Sequence, residues 1–216
     1  MSETVGQAVA QVSASTSMLS AERWADVLPA HVGAAKFQRW ALTLMQNPDM
    51  IEVARTPAGQ LSIVTALLDC ASLGLEPGRT YHLVKFGGTV TGITDYKGEI
   101  ELIGNANPSA CVVAQLVRKA DDFHMRGANV PPLHDADWWG DESRGEVVGG
   151  YAYVDFGGQR YSQVVRMSEA QFLKHRAKSP SKTKAVWDEW PEAMRLKTLV
   201  HQLRKWVAWS PEVSRA

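Results

Sequence analysis

The feature that most constrains this chain is a change of hydrophobic period near residue 79. Before it, apolar residues recur at helical spacing. AKFQRWALTLMQN puts Phe37, Trp40, Ala41, Leu44 and Met45 on one stripe, and Asn47 and Pro48 stop it. SIVTALLDCASLGLEPG predicts a helix from Ser62 that ends at Gly74, a residue suited to a left-handed C′ position, with Pro77 barring extension. With SAERWADVL capped by Ser20, three helices come first. After residue 79 the period falls towards two, and TYHLVKF and TVTGITD flank Gly87-Gly88, which is hairpin chemistry.

The rest of the chain mixes both periods. YKGEIELIGNAN reads as a short helix entered through Gly98, and SACVVAQLVRKADDFHMRGA as one long or two short strands. VPPLHDADWWGDESRG reads as an acidic surface loop. EVVGGYAYVDF and QRYSQVVRM, joined through Gly157-Gly158, form a second hairpin. Ser168 with Gln171 makes a capping box for SEAQFLKHRAK, and Pro191 suits the first turn of a final helix, PEAMRLKTLVHQLRKWV. No period of 20 to 50 residues recurs, which excludes a solenoid. We expect a mobile arm over residues 1–19, one core domain over 20–210 and a short tail over 211–216.

Charge is segregated although the formal net charge is zero: residues 1–159 carry 11 Lys+Arg against 18 Asp+Glu, and residues 160–206 carry 11 against 4. A basic segment of that size suits an anionic partner. No basic start precedes an apolar run and no eighteen apolar residues follow one another, so neither secretion nor membrane insertion is expected. Cys70 and Cys111 lie in separate apolar segments and fit buried thiols in a reducing cytoplasm.

Within the basic segment, the last helix gathers Leu196, Leu199, Val200, Leu203, Trp206 and Val207 on one side and Lys197, His201, Arg204 and Lys205 on the other. A solvated face is the alternative reading of that basic side. Ahead of it, Arg176, Lys178, Lys182 and Lys184, with Ser179, Pro180 and Ser181 among them, make a flexible basic stretch suited to following phosphates. Trp187 ends the stretch, either to stack on a base or to anchor the loop. Trp24, Phe37 and Trp40 offer apolar surface either for subunit contacts or for the core of the monomer.

LGLEPG at 73–78, DYKGEIEL at 95–102, VRKADDFHMRGA at 117–128, the EVVGGYAYV strand and W-x2-W-x3-M-x2-KT-x6-KW from Trp187 to Trp206 together resemble the RecT family of phage single-strand annealing proteins. The resemblance spans roughly residues 28–209. It implies an α+β fold, an antiparallel β-sheet braced by N-terminal helices and a C-terminal amphipathic helix, as a RecT/Red-beta-like annealing core. It also implies a groove that holds single-stranded DNA by its backbone with bases exposed, a homo-oligomeric ring or helical filament, an annealed duplex intermediate, and annealing without ATP or any other cofactor. A phage exonuclease and a host single-strand-binding protein are implied as further partners, in the cytoplasm of a bacterial host. Carried over residue by residue, Tyr96 and Lys97 match the Tyr-Lys-Gly turn, Lys197 the Lys-Thr pair and Lys205 the lysine before the late tryptophan. His201 departs from the Arg or Lys common in relatives, as Gly87-Gly88 departs from a basic hairpin turn, and His201→Arg is expected to strengthen binding. The chain also ends soon after Ser210, without the C-terminal region of longer members that is associated with recruiting partners.

Two rival classes remain. HDADWW supplies His134, Asp135 and Asp137, with Asp121, Asp122 and His124 nearby in sequence, which is the material of a metal-dependent nuclease. A structural oligomer with a basic surface is the other. No phosphate loop of the GxxxxGK[ST] type stands behind an ATPase reading.

Overall fold

The computed structural model describes residues 21–208, with the side chains of these except at 21–23, 141–142 and 181–182. The expected arm over 1–19, the Ser20 cap and the tail over 211–216 lie outside the described residues. The chain forms two compact units, one up to Gly98 and one from Glu99 onward, where the sequence reading drew one core over 20–210.

The first unit holds helices α1 (Ala21–Val27), α2 (Ala34–Leu44), α3 (Pro48–Val53) and α4 (Pro57–Ser72), then strands β1 (Tyr81–Phe86) and β2 (Thr89–Thr94). Asn47 does end α2, but it also starts α3, because its Oδ1 accepts from the Asp49 N–H at 2.9 Å with Pro48 at the first helical position. The same chemistry begins α4 earlier than the expected Ser62: Thr56 Oγ1 accepts from the Gly59 N–H at 3.0 Å and Pro57 opens the helix. Ser62 instead joins helix to hairpin, its Oγ accepting from the Val90 N–H at 3.0 Å. Gly74 ends the helical region at φ +68°, as expected. In the hairpin Tyr81 faces Thr94 and Phe86 faces Thr89, and of the turn glycines Gly87 takes the left-handed conformation.

Trp24 and Phe37 are buried with ring centroids 4.8 Å apart, which corrects the expectation that they form subunit contacts: they are part of the buried interior of the first unit, as Leu67, Cys70 and Leu75 are. Trp40 is half-buried, with Lys36 Nζ 4.7 Å from its ring centroid. Burial pushes the Cys70 thiol well above its ordinary range, and its Sγ lies 3.2 Å from the Leu75 carbonyl oxygen.

The next helix, α5, spans Tyr96–Ala106. It starts before the expected Gly98, whose missing side chain leaves room for the Thr80 carbonyl, 2.4 Å from where a Cβ would sit. The second unit continues with β3 (Cys111–Arg118), β4 (Asp122–His124), β5 (Leu133–Asp135), α6 (Asp141–Arg144), β6 (Val147–Asp155), β7 (Val165–Ser168), α7 (Glu169–Lys178), α8 (Ser181–Glu189), α9 (Pro191–Leu203) and a 3₁₀ turn, Arg204–Trp206. Strands β3, β6 and β7 form an antiparallel sheet in that order, with β6 central. Gly150 on β6 lets α9 come close, since a Cβ there would lie 2.9 Å from a Leu199 methyl carbon. Ile103, Val154, Met167, Phe172, Trp187, Leu199 and Leu203 fill the resulting core.

Three expectations fail in this unit. Cys111, expected as a buried thiol, is exposed at the start of β3. The supposedly flexible stretch around Lys182 and Lys184 is helix α8, held by Trp187, which is 4% exposed and therefore anchors the segment rather than offering a face to a base. The supposed acidic loop contains β5, which pairs with β4 so that Phe123 faces His134. Among the described residues no helix is long and apolar enough to cross a membrane.

Candidate nucleic-acid interface

A groove of about 550 Å³ runs over the second unit, where the outward side of β7 meets α7 and the end of the last helix. Alternation along β7 buries Val165 and Met167 and turns Arg166 outward. On α7, Gln171, Lys174, His175 and Lys178 fall at i, i+3, i+4 and i+7, a single stripe, while Phe172 on another face goes into the core. Gln202 and Trp206 close the far wall one turn apart. The capping box fixes the junction of strand and helix, with the Ser168 N–H donating to Gln171 Oε1 at 2.8 Å. Three cations, an imidazole, three glutamines counting Gln163, and one indole thus line the groove, and no carboxylate among the described residues does. Arg166, Lys174 and Lys178 have no ion pair among the described residues. Such a lining offers charge and amide donors to an anionic polymer and opposes none of it.

A second hollow, about 380 Å³, shares Arg166, Met167 and Gln171 with the first and is otherwise lined largely by Val117, Phe123, Val148 and the glycines of β6. Arg166 therefore stands between a polar and an apolar depression.

Elsewhere in the unit two clusters of charged residues are already engaged. Asp121, with no exposed side-chain surface, receives Arg144 on both carboxylate oxygens at 2.8 and 2.9 Å, the Arg118 N–H at 2.6 Å and His134 Nε2 at 3.0 Å. The Arg144 guanidinium holds the Asp121 carboxyl well below the usual carboxylate range, aided by Arg118 and His134 and opposed by burial. On its other side His134 Nδ1 lies 3.1 Å from Tyr151 Oη, which donates to Gln115 Oε1 at 2.6 Å. Burial pushes the Tyr151 phenol up to about 12. Asp122 pairs with His124 at 2.9 Å on the surface, and Asp135 and Asp137 are exposed. The carboxylates and histidines of the nuclease reading thus point into a structural ion-pair network or out to solvent, and no three such groups converge among the described residues.

Glu99 forms the second engaged cluster. Its side chain is 1% exposed, with His201 Nδ1 2.7 Å from one oxygen and Arg204 Nη1 3.0 Å from the other. The His201 contact is an electrostatic one, since it is not aligned as a hydrogen bond.

The predicted contacts therefore separate. Lys178 lies in the groove, whereas Arg176 is drawn to Asp188 at 2.5 Å, His201 and Arg204 to Glu99, and Lys205 Nζ to Gln202 Oε1 at 2.8 Å. Lys184 and Lys197 are half-buried, and the Lys182 side chain lies outside the described residues. In the first unit Lys97 is exposed, its Nζ 6.0 Å from the half-buried Tyr96 ring. Sequence reasoning missed Arg166, Lys174, His175 and Trp206. The stripe on α7 was readable from its spacing, but nothing local marks Arg166 or Trp206 as its neighbours.

The RecT family model matches residues 35–213 of this chain. The chain is also similar to Protein RecT of Escherichia coli (strain K12), 28% identical over 213 residues, covering 90% of this chain and 74% of that protein. A match over residues 35–213, which spans most of the chain and takes in the basic segment, shows that the chain belongs to the RecT family.

Proposed function

We propose that the protein binds single-stranded DNA and anneals complementary strands without ATP, in phage-type homologous recombination. Membership of the RecT family implies a single-strand annealing recombination protein. The observation that carries the finer reading is the carboxylate-free groove bearing Arg166, Lys174, His175 and Lys178. An annealing protein must neutralise phosphates while leaving base edges free for a second strand. Lysine and arginine on a groove wall do the first, and the three glutamines supply neutral hydrogen bonds to phosphate or sugar without fixing a sequence. Neutralised strands approach each other at short range, and contacts confined to the backbone let them slip until register is found.

Tyr96, Lys97, Lys182, Lys184, Lys197 and Lys205 remain proposed as further backbone contacts. A homo-oligomeric ring or filament, an exonuclease and a single-strand-binding protein as partners, and a cytoplasmic location in a bacterial host belong to the same reading. Annealing of a fluorophore-labelled strand to its quencher-labelled complement tests it. The wild-type chain should accelerate pairing equally with and without ATP, and Arg166→Ala combined with Lys174→Ala should abolish the acceleration while circular dichroism stays native. Unchanged annealing by that folded double variant would sink the reading.

A further inference from the structure

We infer that Trp206 is a stacking platform that holds one base by its face while the groove cations hold the adjoining phosphates. The inference rests on the groove being the DNA site, and it adds an interaction that charge alone does not supply.

Among the described residues four tryptophans are strongly exposed, and their surroundings differ. Trp138 is covered on one face by Arg144, whose guanidinium carbon is 4.9 Å from its ring centroid. Trp139 follows Asp135 and Asp137, and Trp190 follows Asp188 and Glu189, and neither lines the groove that bears Arg166, Lys174 and Lys178. Trp206, 57% exposed, shares its groove with Arg166, Lys174 and Lys178.

Its support is rigid. Leu203, one turn earlier, is fully buried, Val207 packs against the same core, and Lys205 is tied to Gln202. An indole held this way loses little freedom when a base lands on it. Stacking covers the face of a base and leaves its hydrogen-bonding edge open, so a stacked base remains available to a complementary strand. In a duplex the faces are already occupied by neighbouring bases, and the platform then adds nothing. Trp206 accordingly favours single strands over duplex, whereas the cations attract both.

The experiment compares the full chain and its variants on oligothymidylate and on an oligonucleotide of the same length whose thymines are replaced by abasic sites, at fixed salt. The wild type should bind the abasic strand between about fivefold and a hundredfold more weakly, the range of one base–aromatic stack. Trp206→Ala should bind the two strands equally, at the wild-type abasic affinity, with an unchanged salt slope. Trp206→Phe should restore part of the difference, which a misfolded or merely structural variant does not do. Equal wild-type affinity for both strands, or an equal loss on both in Trp206→Ala, overturns the platform. Failure of the underlying groove reading is seen separately: Lys174→Ala would then leave binding to the abasic strand unchanged.

Discussion

Two sets of cations in the second unit are nearly indistinguishable in sequence and opposite in use. Arg144 and Arg204 face buried carboxylates, Asp121 and Glu99, the latter shared with the His201 imidazole, whereas Arg166, Lys174 and Lys178 share a groove that contains none among the described residues. A carboxylate removed from water draws cations inward because its desolvation is offset only by close opposite charge. The first set therefore serves the fold and has little field to spare. The second set has no such partner and is left to attract an anion. A count of local charge cannot make this distinction; the positions of the carboxylates do.

The largest effect should come from the engaged set. Asp121→Ala removes the bidentate partner of Arg144, and breaking a buried pair from one side costs about 3–5 kcal/mol. Urea unfolding should show that loss, while the fraction still folded binds single-stranded DNA with wild-type affinity. The pH dependence has a fixed sign. The Asp121 pKa is depressed in the folded state relative to about 3.9 unfolded, so its stabilisation is complete above about pH 5 and is lost as pH falls through the acid range. Asp121→Asn should flatten that acid limb. An unaltered acid limb would place the network's contribution elsewhere.

How much of this was legible follows the range of each interaction. Gly74, Gly87, Pro191 and the Ser168–Gln171 box act within a few residues, and each is where local chemistry put it. Helix α8 was missed because Ser179-Pro180-Ser181 reads as flexible, whereas Trp187 stabilises the helix through a core assembled from distant segments. Asp121 was read into a strand segment and His134 into a loop, and their pairing stayed hidden because it depends on β4–β5 register, which no periodicity reveals in three-residue strands. Arg166 was invisible as a site residue for a similar reason: alternation turns it outward and the capping box sets α7 beside it, but only the tertiary fold brings Gln202 and Trp206 to the other wall.

The groove set should lower binding without lowering stability. Lys174→Ala and Arg166→Ala should each weaken single-stranded DNA affinity about tenfold, as loss of one charge-assisted contact does, and make the salt slope shallower by about 0.7. Unfolding free energy should stay within about 0.5 kcal/mol of wild type, because both side chains are exposed. A salt series by fluorescence anisotropy measures both quantities. A destabilised Lys174→Ala with an unchanged slope would move Lys174 into the structural set and erase the contrast. Lys97→Ala, at an exposed position of the first unit, should give the same signature at smaller amplitude, about threefold.

The smallest effect is expected at His201, where the sequence alone pointed to a gain. Its ring nitrogen lies 2.7 Å from Glu99, and Arg204 holds the other oxygen, so an arginine placed there meets a carboxylate before it meets a phosphate. The new guanidinium is drawn towards the second Glu99 oxygen and away from a phosphate, and the charge left over beside Arg204 is screened within about 8 Å at physiological salt. His201→Arg should therefore change single-stranded DNA affinity by no more than about twofold, ~0.4 kcal/mol. Glu99→Gln sharpens the comparison by removing the inward charge while keeping the shape of the side chain. With it in place His201→Arg should strengthen binding and steepen the salt slope by about 0.7, because the new guanidinium is then available to a phosphate. A full gain from His201→Arg alone would show that Glu99 does not hold these cations inward. The boundary between the two sets would then lie at Asp121 only.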